Sequence, residues 1–461
     1  MGGNIMSSHK FHIRKKINAF LKLYSKFSSL SRNSIELLPE TLSNINYQDL
    51  YQLHYILDNQ QYNQLMHQLE NINTERLKHK NIIKISFVLL DSAMWCGDGL
   101  YKMLSANPRF KVDVLLCEPK YALSPSAKMN FYAGAEKLKQ SGICVNVVRF
   151  DDIFYPDADV LFFLTPYFKD INKGLSLNRL PLTKLIAFID YGLYTSDWGI
   201  KGDFSIRYID WREFVDTKER RDDIIKFLYR KGDGVLYTGY PRMDLFYQTS
   251  KPMYQWKMVN SKAKKIIWAP HWSIDSGIKY ATFHKNYKWF YQYAKSHPET
   301  TSWVVKPHPE LMNSTVKTGI FENDNEYRSY MNAWNSLPNA QVEIGAYYQD
   351  IFRTSDAMIL DSGSFTSEYR YTHKPEMFLT RETDQFSAIG QAVIDAIYTA
   401  DGADFNRIQD FIENVVIAGQ DSHKEACEKV FKKYLDYYTD LGKLASESIY
   451  DEFLKEFEVS K

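Results

Sequence analysis

The sequence predicts an α/β protein: two parallel, doubly wound, Rossmann-like domains facing a cleft, with an N-terminal helical extension and C-terminal helices. Three observations predict it. From Asn81 onward, continuous apolar runs rich in β-branched residues alternate with stretches of helical spacing, the pattern of strands covered on both faces. A second series of the same kind begins at Lys264. At 461 residues the chain is too long for one ordinary domain and comfortable for two or three.

The elements follow in order. Residues 10–27, KFHIRKKINAFLKLYSKF, carry six Lys or Arg and no acid. Ile13, Ile17, Phe20, Tyr24 and Phe27 recur at three- and four-residue steps, which makes a basic amphipathic helix. Such a helix suits an anionic membrane face, or packs on the protein body with its basic side in solvent. Residues 34–79 are polar, with Leu50, Leu53, Leu57, Leu65 and Leu69 at helical spacing, and read as two or three helices; the helical region as a whole covers 1–80. The first Rossmann-like domain is expected over 81–250. Its strands are IIKISFVLL (82–90), VDVLLCEP (112–119), CVNVVRF (144–150), DADVLFFL (157–164), KLIAFIDYG (184–192) and FSIRYID (204–210), with helices over LYKMLSAN and 128–140. KPMYQWKMVNSKAK (251–264) reads as the linker. The second domain, 262–400, has strands at KKIIWAP, TSWVVKPHP, AQVEIG, DAMILDSG and PEMFLT, with helices at TFHKNYKWFYQYAKSHP, YYQDIFRTS and TSEYRYTHK. From Ser387 on, the spacing is helical to the end, and 401–461 is expected to pack back on the body.

Composition removes several function classes. The net charge is +1, from 57 basic against 56 acidic residues, which excludes a globally basic protein coating nucleic acid. Cys96, Cys117, Cys144 and Cys427 form no CxxC pair, so neither a disulfide scaffold nor a paired-cysteine zinc site is expected. No apolar run approaches the ~20 residues of a membrane span. The start of the chain lacks the apolar core of a signal peptide. Together these place the protein in the cytoplasm.

Candidate site residues sit where strands run into helices, the ends at which doubly wound sheets hold ligands. In MILDSGSFTSEYRYTHK (358–374) a strand ends at Asp361, Ser362-Gly363-Ser364 forms a tight turn, and a helix starts near Phe365 or Thr366. Helix N-termini present unpaired N–H groups and partial positive charge to a phosphate, and the small residues admit it; a plain serine-capped turn is the alternative. In WVVKPHPEL (303–311) two prolines stiffen the backbone around His308, which suits phosphate binding or leaving-group protonation, and Lys306 adds fixed charge. Arg242 in GVLYTGYPRMDLF is a further phosphate candidate, or part of a hinge turn. In IIWAPHWSID, Trp272 is a stacking surface for a base and His271 a contact for phosphate or acceptor. No clustered carboxylates suggest a metal, and no cofactor is expected.

GYPRMD (239–244), WAPHW (268–272), KPHP (306–309) and LDSGSFTSEYRYTHKP (360–375), in that order, resemble the CDP-glycerol glycerophosphotransferases of teichoic-acid and capsule synthesis. The resemblance implies a GT-B-like fold whose second half holds the donor nucleotide. It implies transfer of glycerol or ribitol phosphate from a CDP-linked donor to a hydroxyl of a lipid-linked or polysaccharide acceptor, with release of CMP. His308 falls at the family's phosphate-contacting histidine. Asp361, Gly363 and Ser364 fall at its Asp-Tyr-Ser-Ser turn, with Gly363 replacing the first serine. The family's WHGT-like segment, whose histidine is taken as general base, is replaced here by Asp190-Tyr191-Gly192. That leaves Asp190, or Asp98 in the loop WCGDG, as the candidate base. With the basic helix at 10–27, the resemblance places the protein at the inner face of the cell membrane. A nucleotide-sugar glycosyltransferase on the same scaffold and a non-catalytic nucleotide-binding member are the competing readings.

Overall fold

The computed structural model describes residues 46–460, apart from 56, 121–124, 169, 197–203, 228–229, 231, 277–278, 346 and 382–385. The basic stretch 10–27 therefore lies outside the described residues.

Among the described residues, two helices precede the first sheet: α1 (Tyr47–Leu53) and α2 (Asn59–Lys78). Asp58 opens α2 with a capping box, its carboxylate accepting from Gln61 N–H while the Gln61 side chain accepts from Asp58 N–H. Leu50, Leu53, Leu65 and Leu69 are buried, as their spacing requires. They pack against one face of the sheet through Val88, Leu161, Phe163, Ile186 and Phe188.

The first sheet contains β1 (Ile83–Leu89), β2 (Phe110–Cys117), β3 (Val145–Val148), β4 (Val160–Phe163), β5 (Leu185–Ile189), β6 (Arg212–Val215) and β7 (Val235–Tyr237). Its order is β3-β2-β1-β4-β5-β6-β7, and each neighbouring pair is parallel. Helices α3 (Asp98–Ala106), α4 (Pro125–Gln140) and α5 (Lys218–Phe227) cross between strands. The second sheet contains β8 (Lys264–Ala269), β9 (Thr301–Val305), β10 (Ala340–Val342), β11 (Ala357–Leu360), β12 (Glu376–Thr380) and β13 (Tyr398–Asp401), in the order β10-β9-β8-β11-β12-β13. Its helices include α6 (Phe283–Ser296), α7 (Asp324–Ser336), α8 (Gln349–Thr354), α9 (Gly363–Tyr369) and α10 (Ala388–Ala396). In both sheets the chain winds outward from a central strand, then crosses back and winds the other way. The crossovers diverge at β1/β4 and at β8/β11, the positions beside which doubly wound sheets hold their ligands.

The chain finally returns to the first half. α11 (Ala445–Glu456) lays Phe453 on Phe162, with ring centroids 5.8 Å apart, and on Trp211 at 5.7 Å. Buried Asp244 anchors the start of α11 by accepting from Ala445 and Ser446 N–H at 2.8 and 2.9 Å, and it takes the Tyr437 hydroxyl at 2.6 Å. Gly239 adopts φ +81 against that tyrosine, where a Cβ would lie 2.2 Å from the ring.

Three element assignments change. FSIRYID contains a short helix, Ile206–Ile209, and the strand lies beyond it at β6. The charged Arg212 and Glu213 hide β6 in the sequence. Glu213 pairs with buried Arg207 at 3.0 Å, while Arg212 pairs with Glu452 and Glu456 of α11 at 3.0 and 2.9 Å. The stretch after Ser387 is not helical throughout, because Tyr398–Asp401 adds edge strand β13 to β12. The helix expected to begin near Phe365 or Thr366 begins at Gly363.

Candidate active site

The carboxylate of Asp361 organises the second-half crevice. It leaves β11 almost fully buried, at 1% exposure. One oxygen accepts from His271 N–H at 2.6 Å, and the other from the Thr282 N–H and, at 2.7 Å, its hydroxyl. These bonds join the ends of β8 and β11, the two strands at which the winding diverges. Burial pushes the Asp361 carboxyl up to about 6 despite the donors around it. The turn at Ser362-Gly363-Ser364 follows, partly exposed, and leads into α9, whose first N–H groups have no partner within the helix.

Beside that turn stand two imidazoles. The rings of His271 and His308 approach edge to face, with centroids 5.1 Å apart, and Trp272 lies 6.0 Å from His308. Glu310 N–H donates to His308 Nδ1 at 3.1 Å, which assigns the ring proton to Nε2. His271 Nδ1 lies 2.7 Å from the Ser273 hydroxyl and accepts from Ser273 N–H at 3.3 Å, which assigns the same tautomer. Burial drives the His271 imidazole down to about 3. It also holds His308 well below its usual value, with His271 and Lys306 adding to the effect. Both rings are therefore neutral Nε2–H donors near neutral pH. Lys306 is buried at the end of β9, donates to the Gly345 carbonyl at 3.0 Å, and is lowered by burial to about 8.

The first half faces this wall. Asp190 follows β5; one carboxylate oxygen accepts from Tyr191 N–H at 2.9 Å and the other pairs with buried Arg220 at 2.5 Å. A Cβ built on Gly192 would stand 3.3 Å from Ser364 Cβ, so the turn at Asp190-Tyr191-Gly192 rests on the turn at Ser362-Gly363-Ser364. Thr195 and Ser367 hydroxyls meet across the halves at 2.9 Å, and Thr195 carbonyl accepts from Ser387 N–H at 2.8 Å. Asp98 opens α3 and accepts from Trp95 Nε1 at 2.9 Å. Burial pushes the Cys96 thiol up to about 12, a shift that Arg242 opposes and Asp98, Asp190 and Glu368 reinforce. Groups from both halves thus converge on that loop.

Arg242 commits its terminal nitrogens inside the protein. One donates to the Tyr348 hydroxyl at 2.7 Å, the other to the Ala93 and Trp95 carbonyls at 2.7 and 2.9 Å. Sequence reasoning missed Tyr348, Glu368 and Arg220. Their partners lie 106, 20 and 30 residues away in the chain, and no local spacing marks them. Among the described residues no cluster of His, Cys, Asp or Glu is arranged to hold a metal ion.

Comparison with protein families matches residues 203–455, more than half of the chain, to CDP-glycerol:poly(glycerophosphate) glycerophosphotransferase. The chain belongs to this family. Among solved structures, a variant of the wall teichoic acid polymerase TagF soaked with CDPG is similar, with TM-score 0.53 and 13% identity, over 85% of this chain and 93% of that one. UDP-GlcNAc 2-epimerase from Neisseria meningitidis bound to UDP-GlcNAc gives TM-score 0.52 and 14% identity, over 81% and 99%. The S. aureus MnaA–UDP co-structure gives 0.51 and 13%, over 82% and 98%. At such identities these likenesses show the fold, which is GT-B-like. No curated protein matches the chain. No helix among the described residues is long and apolar enough to cross a membrane.

Proposed function

We propose that this glycerophosphotransferase family member moves glycerol phosphate, or a related polyol phosphate, from a CDP-linked donor to a hydroxyl of a surface-polymer or lipid-linked acceptor. The acceptor oxygen bonds to the phosphorus carrying the polyol, the bond from that phosphorus to the CMP oxygen breaks, and the hydroxyl gives up its proton. Catalysis of phosphoryl transfer is mainly positioning and charge stabilisation. The observation that carries the reading is the pair of neutral Nε2–H imidazoles, His271 and His308, beside the turn fixed by Asp361.

In this reading the turn at 362–364 and the start of α9 hold the donor pyrophosphate. His308 donates to the departing CMP oxygen, and Lys306 supplies positive charge. Trp272 offers a flat surface to the donor. Asp190, held by Arg220, orients the acceptor hydroxyl and receives its proton as that pair loosens; Asp98 supports the same wall. The basic stretch 10–27 supports an acceptor presented at an anionic membrane face.

The test is CMP release from CDP-glycerol, with CDP-ribitol and UDP-GlcNAc as comparison donors, using an acceptor bearing free hydroxyls. His308→Ala is expected to lower the rate about 1,000-fold. Thermal stabilisation by UDP-GlcNAc and not by either CDP-linked polyol would move the assignment to a nucleotide-sugar transferase.

A further inference from the structure

We propose that Tyr348 is a positioning residue whose hydroxyl locks the donor turn of the second half to the loop after β1 in the first. The proposal rests on the transferase reading of the cleft. Arg242, Tyr348 and Glu368 are 6%, 3% and 1% exposed. Arg242 comes from the segment after β7 and grips the Ala93 and Trp95 carbonyls of the loop that carries Asp98. It donates to Tyr348 Oη, which donates in turn to the carboxylate of Glu368 on α9, the helix that starts at the donor turn. One phenol hydroxyl therefore stands between a buried cation of one half and a buried carboxylate of the other.

The ring has its own contacts. The Arg242 guanidinium carbon lies 5.3 Å from its centroid and Lys306 Nζ 5.9 Å, so the ring also touches the strand end that carries His308. Phe352 and Phe365 pack on it at 4.8 and 4.6 Å. The aromatic body thus belongs to the second-half core, and the hydroxyl carries the hydrogen bond across to Arg242. A phenylalanine would keep the packing and lose the link. Donor contacts are made by α9 and the β9 end, whereas the acceptor wall is the β1 loop and β5 turn. Loss of the link should therefore disturb the alignment of the two substrates more than the grip on either.

The experiment is Tyr348→Phe in the full-length protein. A fall in kcat of about 100-fold is expected, with the CDP-glycerol dissociation constant within threefold of wild type. Amides of residues 91–98 are expected to lose about tenfold of their hydrogen-exchange protection. An unchanged kcat, or kcat and donor affinity falling together, would overturn the proposal. So would unchanged protection at 91–98. Glu368→Gln and Glu368→Leu provide a second route if the phenylalanine variant does not fold. The glutamine still accepts from Tyr348 and should keep kcat within threefold, while the leucine should reproduce the loss; equal effects of the two would overturn the lock. If the wild type itself releases no CMP, the transferase reading fails, and exchange at 91–98 still decides the lock because it needs no substrate.

Discussion

The two sheets share one winding, β3-β2-β1-β4-β5-β6 in the first half and β10-β9-β8-β11-β12-β13 in the second, yet their crevice ends carry opposite chemistry. In the second half, neutral imidazoles, small residues and a helix start converge around a single buried carboxylate that faces inward to backbone donors. In the first, carboxylates follow two neighbouring strands, Asp190 after β5 and Asp216 after β6, both around Arg220, with Asp98 at the start of α3. A wall of carboxylates repels a pyrophosphate but can orient a hydroxyl, and a wall of N–H donors does the reverse. Shared topology places both walls at strand ends; in the proposed function the residues placed there divide the labour between donor and acceptor.

That comparison can be broken in four ways. The largest effect is expected from Asp361→Ala, which strands the buried donors of His271 and Thr282. It should lower unfolding stability by about 3 kcal/mol in chemical denaturation and abolish donor binding, whereas Asp190→Ala should leave donor binding intact. Equal loss of donor affinity in the two variants would refute the division of roles. Next, Asp190→Asn should slow transfer about 30-fold at unchanged donor KM, measured as CMP release under saturating acceptor.

A pH effect follows from Lys306. Its ammonium, lowered by burial to about 8, is charged below that value and neutral above it. Donor kcat/KM should therefore fall as pH rises through about 8, and Lys306→Arg should move that limb upward, because a guanidinium stays charged. A profile whose alkaline limb does not respond to Lys306→Arg would remove this lysine from the donor site. The smallest effect is expected from Gly192→Ala. Its added carbon would sit 3.3 Å from Ser364 Cβ and push the walls apart by tenths of an ångström, costing about 1 kcal/mol, or about fivefold, in kcat/KM.

How much of this was legible in the sequence differs by residue. The central strands could be read because β1, β4, β5, β8 and β11 are apolar on both faces. β6 could not, because Arg212 finds its partners only when α11 returns from more than two hundred residues away, and Glu213 is paired by Arg207 in a stretch that itself reads as a strand. Asp361, His271 and His308 were visible as polar residues at the ends of apolar runs. Arg242 was visible too, but its commitment to Tyr348 and two carbonyls was not, since a guanidinium at a strand end looks the same whether it faces ligand or protein.

By itself, then, the chain's local pattern determined its class of fold, its two series of strands and the strand ends where polar groups collect. Those properties depend on periodicity and burial over a few residues, which neighbouring residues encode. Tertiary structure alone decided that both imidazoles stand beside the Asp361 turn, that Asp190 is held by Arg220, and that Tyr348 joins the halves. Each of these is a contact between segments distant in the chain, made or withheld by how two sheets pack, and no spacing along one strand records it.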